Sequence, residues 1–191
     1  MDVAENGAEN GADDGADDGA AVAASLADRL DRLTFADLTT DAVTDLIITS
    51  VVAWAQDQGW RVYRRAPSVM TLPPPMERQH SVLDVACARS AGPPVVIEID
   101  HTDRRRTVDK LALEAAAGRI AIWVRWGTGR ISPPPPPVHL VTCEVTRRNG
   151  PAGQGRRYAR TPAPDRPPPA HSADGAGDAS AVPLPFLDRN A

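Results

Sequence analysis

Three carboxylates interrupt two strand-like runs of this 191-residue chain. Glu98 and Asp100 lie in the apolar run Val95–Asp100, and Asp84 lies in the run Ser81–Cys87 just upstream. Side chains two residues apart on a strand point to the same face, so Glu98 and Asp100 share a face, about 7 Å apart. Buried carboxylates without partners are costly, and such pairs usually mark a site for a cation. If the two strands are neighbours, all three carboxylates converge, which suits a divalent ion with oxygen ligands.

Other chemistries have no support in the sequence. It contains no phosphate-binding glycine loop of the P-loop type, no Cys-x-x-Cys motif and no convincing Ser-His-Asp set. Cys87 and Cys143 both lie in apolar strand-like runs. We interpret them as small buried hydrophobes in a reducing compartment, rather than as a disulfide or a zinc site.

The formal charge of −4 is unevenly distributed. Residues 1–24 contain seven acids and no base, which leaves 21 bases against 18 acids, or +3, in the rest of the chain. A slightly basic body with an acidic tail is compatible with a nucleic-acid partner. The sequence shows no signal peptide, and its longest apolar run, around residues 46–55, is too short and polar to span a membrane. We therefore expect a cytoplasmic protein with no membrane partner.

Composition divides the chain into three parts. Residues 1–24 repeat AENG and then ADDG and have almost nothing to bury, so we predict a disordered acidic tail that solubilises the protein or imitates nucleic-acid phosphates. Residues 25–148 form the predicted domain. Residues 149–191 are dominated by Pro, Gly, Ala and Arg, and they are predicted to be disordered.

Hydrophobic periodicity predicts the elements that must position the carboxylates. Helical spacing predicts a short helix from Ser25, a longer one over residues 41–58 capped by Thr40, and one over residues 107–117 capped by Thr107. Strand patterns cover residues 60–64, 81–87, 95–100, 120–126 and 139–146. Tight turns imply an antiparallel meander of the first three strands, and the helix crossover implies a fourth strand parallel to the third.

This order of elements resembles the PD-(D/E)XK nuclease superfamily, which has the restriction-endonuclease-like fold. The matching features are Asp84 in the second strand and Glu98-x-acid in the third, over residues 41–126. The resemblance implies an α/β fold whose mixed central sheet has a helix-strand-strand-strand-helix-strand core. It also implies hydrolysis of phosphodiester bonds in DNA, with Mg²⁺ or Mn²⁺ held by Asp84, Glu98 and the Ile99 carbonyl. A homodimer is left open.

The sequence departs from the family pattern at Asp100, which occupies the position of the family's lysine. That lysine orients the attacking water and offsets phosphate charge, whereas Asp100 would instead support the metal or a second ion. Lys110, the only lysine, lies early in the next predicted helix and is the obvious catalytic substitute. The helical geometry argues for a solvated Lys110 instead, because it lies roughly opposite the predicted buried stripe of Val108, Leu111, Ala112 and Ala115.

Basic and acidic residues around this motif leave further alternatives. Arg104, Arg105 and Arg106 follow the carboxylates and would bind phosphates, or they are simply part of a polar loop in an arginine-rich chain. The family's frequent acid on the first helix has no clear match, since Asp41 and Asp45 both lie off the apolar stripe. The competing functions are a catalytically inactive nuclease-fold module that binds nucleic acid or protein, and a structural role for carboxylates paired with arginine.

Overall fold

The computed structural model describes residues 10–151 and 155–161, with side chains from residue 18 onward. In this part of the chain, three helices and eight strands form a mixed α/β structure with two sheets. The elements are α1 (Asn10–Asp31), β1 (Phe35–Leu38), α2 (Thr40–Asp57), β2 (Arg61–Thr71), β3 (His80–Ala88), β4 (Val95–Asp100), α3 (Arg105–Ala116), β5 (Ile120–Gly127), β6 (His139–Glu144), β7 (Thr146–Asn149) and β8 (Arg156–Arg160).

The central sheet has five strands in the order β2-β3-β4-β5-β6. The first three pair antiparallel, and β4, β5 and β6 pair parallel, with α3 connecting β4 to β5. The predicted meander and the parallel return after the helix are therefore confirmed. β4 and β5 are buried along their whole length, because helices or other segments of the same protein cover both faces of the parallel half of the sheet.

Two apolar clusters lie on opposite faces of the central sheet. The larger one joins α1 and α2 to residues such as Ile97 of β4. The smaller one joins Leu111 of α3 to Val96 of β4. Since side chains alternate along a strand, Glu98 and Asp100 lie on the same face as Val96, which is the face that α3 covers.

Two helices begin one or two residues earlier than predicted. The N-cap of α2 is Thr39 rather than Thr40, and its hydroxyl accepts a hydrogen bond from the Ala42 N–H at 3.3 Å. α3 begins at Arg105 without a side-chain cap, and Thr107 is buried in its first turn. Sequence alone does not distinguish adjacent threonines as caps, and a helix that begins at an arginine without a side-chain cap, as α3 does, gives no capping signal in the sequence.

Helix α1 extends back to Asn10, so the predicted disorder of residues 1–24 is wrong for residues 10–24. Residues 1–9 lie outside the described part. Val22 and Ala23 are buried in the larger cluster ahead of Leu26, and Asp18 accepts two hydrogen bonds from Arg89, at 2.6 and 3.0 Å. The alanine-rich end of the acidic repeat therefore supplies both helix propensity and an apolar stripe.

Deleting residues 1–24 is expected to destabilise the protein, because the deletion removes Val22, Ala23 and the Asp18–Arg89 ion pair. Burial of the valine side chain alone is worth about 1.5–3 kcal/mol. Urea denaturation of the full chain and of two truncations measures the effect. Deletion of residues 1–9 is the control, since it removes none of the described contacts. Equal free energies of unfolding for the two truncations would show that this part of α1 contributes nothing.

A second, three-stranded sheet with the order β1-β8-β7 was not predicted. It places residues 156–160 within the folded unit, so the domain boundary at residue 148 and the predicted disorder of residues 149–191 are wrong there. Residues 152–154 and 162–191 lie outside the described part. Tyr158 is buried beside Trp126, and Arg160 donates to Asp31 at 2.7 Å. A single tyrosine among arginines gave too weak a pattern to predict a strand.

Glu114 of α3 is a fully buried carboxylate with a structural role. It accepts hydrogen bonds from the Ser68 hydroxyl at 2.6 Å and the Val69 N–H at 2.8 Å, and it pairs with Arg119. Protein donors therefore hold both of its oxygens, and α3 is fixed to the distal half of β2. The structural role that the sequence left open for buried carboxylates applies to this residue.

Glu114→Ala is expected to lower the free energy of unfolding by about 3 kcal/mol, because buried donors on β2 lose their acceptor. The half-exposed Arg119 moderates the loss, since water can solvate its guanidinium. Asp109→Ala, on the exposed side of the same helix, is the control. Chemical denaturation of both variants tests this, and a loss no greater than that of the control would contradict the structural role.

Candidate functional site

A cavity of about 480 Å³ opens at the carboxyl end of β4. β3, β4 and the first turns of α2 and α3 form its walls. Asp84, Glu98, Asp100 and Lys110 all line it, so these four predicted site residues share one cavity. The other lining residues are Thr40, Asp41, Thr44, Val82, Ile99, His101, Arg104, Arg106 and Thr107.

β3, which contains Asp84, and its neighbour β2 are both irregular near this residue. The register of β3 with β4 ends at Val85, and the Asp84 carboxylate accepts a hydrogen bond from the Ile99 N–H at 2.8 Å. Leu83 packs in the smaller cluster but Val85 packs in the larger one, so the alternation of side chains is interrupted between them. On β2, Arg65 has a φ of 54°, which is unfavourable for a residue other than glycine. Asp84 lies at this irregular point, opposite Glu98 in the continued register, and it lines the cavity beside β4.

Glu98 is the most central carboxylate of the cavity. Its side chain is 7% exposed, and its Oε1 accepts hydrogen bonds from Lys110 Nζ at 2.7 Å and from the Asp84 N–H at 3.2 Å. Burial, with smaller contributions from the charges of Asp84 and Asp100, raises the pKa of Glu98 to about 7 despite the opposing effect of Lys110. Near neutral pH, Glu98 therefore exists in both protonation states.

The pKa of Asp84 is also raised, chiefly by burial. The Ile99 N–H and the positive charge of Lys110 oppose the increase, whereas the charge of Asp100 adds to it. The surroundings of Asp84 and Glu98 therefore stabilise the ionised form of each carboxylate poorly. Such clustered, perturbed carboxylates in a cavity are typical of functional sites.

Lys110 points into the cavity, so the geometric argument for a solvated lysine was wrong. Its side chain is 9% exposed, and Nζ donates to the Val82 carbonyl at 2.6 Å as well as to Glu98. The buried side of α3 consists of Thr107, Lys110, Leu111 and Glu114. The predicted stripe failed because the buried side of α3 is mostly polar, and apolar residues alone therefore indicated the wrong face.

Asp100 is held at the cavity wall by two neighbours. Its Oδ2 accepts a hydrogen bond from Trp123 Nε1 at 3.0 Å, and its Oδ1 lies 3.6 Å from Arg104 Nε. The structure therefore brings Asp100 into the cavity with Asp84 and Glu98, although it gives Asp100 a different set of partners. Trp123 packs in the smaller cluster and also fixes this carboxylate.

The arginine triplet is divided by the start of α3. Arg104 and Arg106 line the cavity, whereas Arg105 has a side chain that is 94% exposed and lies near Asp109 instead. Thr107 is buried against the cavity. Two arginines, a hydroxyl and an uncapped helix N-terminus therefore lie together, an arrangement that favours anions.

Sequence reasoning missed the contribution of α2. Thr40, Asp41 and Thr44 line the cavity, but Asp45 does not. We had set Asp41 aside because it lies off the apolar stripe, yet the end of a helix that overhangs a cavity presents polar residues there. Choosing Thr39 as the N-cap would have indicated this contribution, because it puts both Thr40 and Asp41 in the first turn of α2.

The donor atoms suit a hard divalent cation, although the arrangement is not that of a preformed metal centre. Within residues 18–151 and 155–161, no three Asp, Glu, His or Cys side chains form a group that could hold a metal ion. Lys110 already contacts Oε1 of Glu98, so it would compete with a cation for that oxygen. Cys87 and Cys143 are buried and form no disulfide, in agreement with their interpretation as small hydrophobes.

Comparisons with known proteins add no family to this geometry. The chain matches no protein-family model, no curated protein and no solved structure. None of the described helices combines the length and the apolar character needed to cross a bilayer. A functional conclusion therefore rests on the cavity and on the chemistry of its residues.

Proposed function

We propose that the cavity is the active site of a metal-dependent nuclease that hydrolyses phosphodiester bonds in DNA. One observation carries the proposal: Nζ of Lys110 lies 2.7 Å from Glu98 in the cavity that Asp84 also lines. The family pattern needs two acids and a lysine, and Asp100 replaces that lysine on the strand. α3 brings a lysine back to the same carboxylate from the neighbouring helix.

Asp84, Glu98 and the Ile99 carbonyl would hold Mg²⁺ or Mn²⁺, as the resemblance to PD-(D/E)XK nucleases implies. Bound there, such an ion would lower the pKa of a coordinated water and thereby supply the nucleophile. The raised pKa values of both acids support this assignment, because a divalent cation would offset the burial and mutual repulsion that disfavour their ionised forms.

The remaining cavity residues have roles in binding the substrate. Lys110 places a positive charge beside the reacting phosphate and stabilises negative charge that develops on it. Arg104 and Arg106 bind phosphate oxygens at the cavity wall, together with the Thr107 hydroxyl and the start of α3. Asp100, fixed by Trp123, orients Arg104.

A second candidate is a nuclease-fold module that binds nucleic acid or protein without catalysis. Two observations favour it. In the described residues no three potential ligands form a metal-binding group, and Lys110 neutralises Glu98 directly. In that case the cavity would retain its arginines as an anion site, and the Glu98–Lys110 pair would be purely structural.

A cleavage assay on supercoiled plasmid and on labelled single strands, with Mg²⁺, with Mn²⁺ and with EDTA, separates the two candidates. We expect metal-dependent cleavage by the wild type, loss of cleavage in Glu98→Gln, and full cleavage in Asp109→Asn, a control on the exposed side of α3. Absence of cleavage under every metal condition, with DNA binding retained, would favour the non-catalytic module.

A further inference from the structure

We propose that the β7–β8 hairpin is a clamp for the nucleic-acid backbone, and that Arg147 and Arg156 contact phosphates next to the cavity. The proposal deepens the proposed function and rests on it for the identity of the substrate. It concerns the smaller sheet, which lies outside the residues that resemble the nuclease family.

The hairpin is attached directly to a wall of the cavity. The Tyr158 hydroxyl lies 3.1 Å from Nε2 of His101, and the two rings meet edge to face at 5.3 Å. His101 itself lines the cavity and stacks on Trp126 at 4.1 Å between ring centroids. Tyr158 packs on the same tryptophan at 5.1 Å. This three-ring cluster fixes the hairpin relative to the carboxylates.

Strand register determines which arginines point the same way as Tyr158. Arg147 lies opposite Tyr158, and Asn149 lies opposite Arg156. Residues opposite each other, or two apart on one strand, share a face of an antiparallel pair. Arg147 and Arg156 therefore lie on the face that Tyr158 directs towards His101.

The charges of these two arginines are available for a ligand. Both residues are exposed, and neither forms an ion pair with any other residue in the described ranges. The pKa of His101 is lowered, first by burial and then by the charges of Arg125, Arg156 and Arg147, which agrees with their position near the cavity.

The opposite face of the hairpin has a different role. Arg148 points away from Tyr158 and donates to Asp37 of β1 at 2.5 Å, so a protein carboxylate already partners it. Of the two neighbouring arginines on β7, Arg148 therefore holds the small sheet together, and Arg147 is left for a partner. Arg148 supplies a control matched in type, strand and exposure.

A phosphodiester backbone fits this pattern better than an isolated anion. Arg147 and Arg156 share the hairpin face that meets His101 through Tyr158, whereas Arg104 and Arg106 line the cavity at the start of α3. Positive charge on two sides of a carboxylate-lined centre suits a chain of phosphates that passes over it. Arginine is well suited to this role, because its planar guanidinium matches the geometry of phosphate oxygens.

Salt-dependent binding of a fluorescent DNA duplex in EDTA tests the proposal without any cleavage. Each lost phosphate contact should reduce the slope of log K against log salt by about 0.9. We expect the double variant Arg147→Ala/Arg156→Ala to lower the slope by about 2 and to weaken binding at least tenfold at low salt. Arg148→Ala should bind like the wild type. A double variant that shares the wild-type slope would overturn the proposal, provided that thermal melting shows both proteins folded.

The outcomes separate this inference from the nuclease assignment. A reduced slope in a protein that never cleaves DNA supports the clamp and overturns only the catalytic role of the cavity. Normal cleavage by a double variant with an unchanged slope supports the catalytic role of the cavity and overturns the clamp. A single-stranded probe of equal length establishes whether the clamp prefers duplex. Oligoglutamate of matched charge is the last arm, and its displacement of DNA at equal concentration would overturn the assignment to nucleic acid.

Discussion

Lys110→Met is expected to reduce metal-dependent DNA cleavage by at least about a hundredfold, the size of effect seen when one preorganised charge or donor is removed from an active site. Methionine preserves the length and apolar packing of the side chain but not the charge. Metal binding should persist or strengthen, because Lys110 no longer competes for Oε1 of Glu98. Cleavage rates and Mn²⁺-dependent melting, measured on the same preparation, separate the two effects.

Lys110→Arg identifies what the lysine contributes. Arginine keeps the positive charge but does not lose a proton in proteins, so it would retain activity if charge stabilisation is the main contribution. Asp109→Asn controls for changes on α3 that do not reach the cavity. Cleavage by Lys110→Met at the wild-type rate would show that Lys110 has no catalytic role. The proposed function would then lack the positively charged side chain that it requires beside Asp84 and Glu98.

The parts of the fold that were predictable have strong local patterns. Val95–Asp100 became β4 with the predicted bounds, because β-branched residues on both faces leave few alternatives to a buried strand. Short turns then determined the antiparallel order. The convergence of Asp84 and Glu98 followed from the same pattern, although the irregularity at Asp84 came from the meeting of two strands and could not be deduced from one.

The missed features depend on contacts distant in the sequence. Gly19 and Val22 were interpreted as low-complexity sequence, yet α1 packs so closely that a Cβ on Gly19 would lie 2.4 Å from the His139 ring. Tyr158 is part of the fold because its ring packs against His101 and Trp126. Lys110 was misplaced for the same reason, since only the position of Glu98 makes a buried lysine favourable.

Glu98→Gln is expected to abolish the stabilisation of the fold by Mn²⁺. In the wild type, Mn²⁺ at a hundred times its dissociation constant should add about 2.7 kcal/mol to the free energy of unfolding. An amide is a poorer ligand for a hard cation than a carboxylate, so the variant should gain little. Thermal melting with and without Mn²⁺ measures this, and an equal shift in both proteins would place the metal elsewhere.

The dependence on pH gives this prediction a second readout. Burial raises the pKa of Glu98 from its ordinary value of 4.5 to about 7, so between these values the folded state binds more protons than the unfolded state. The stability of the metal-free wild type should therefore fall as pH rises from 4.5 to 7. The Mn²⁺-induced gain should grow over the upper part of that range, because the metal requires the ionised carboxylate. Because the pKa of Asp84 is also raised, Glu98→Gln should make the metal-free slope shallower without removing it, and it should remove the Mn²⁺-induced gain. A metal-free slope equal to that of the wild type would show that Glu98 does not titrate in this range.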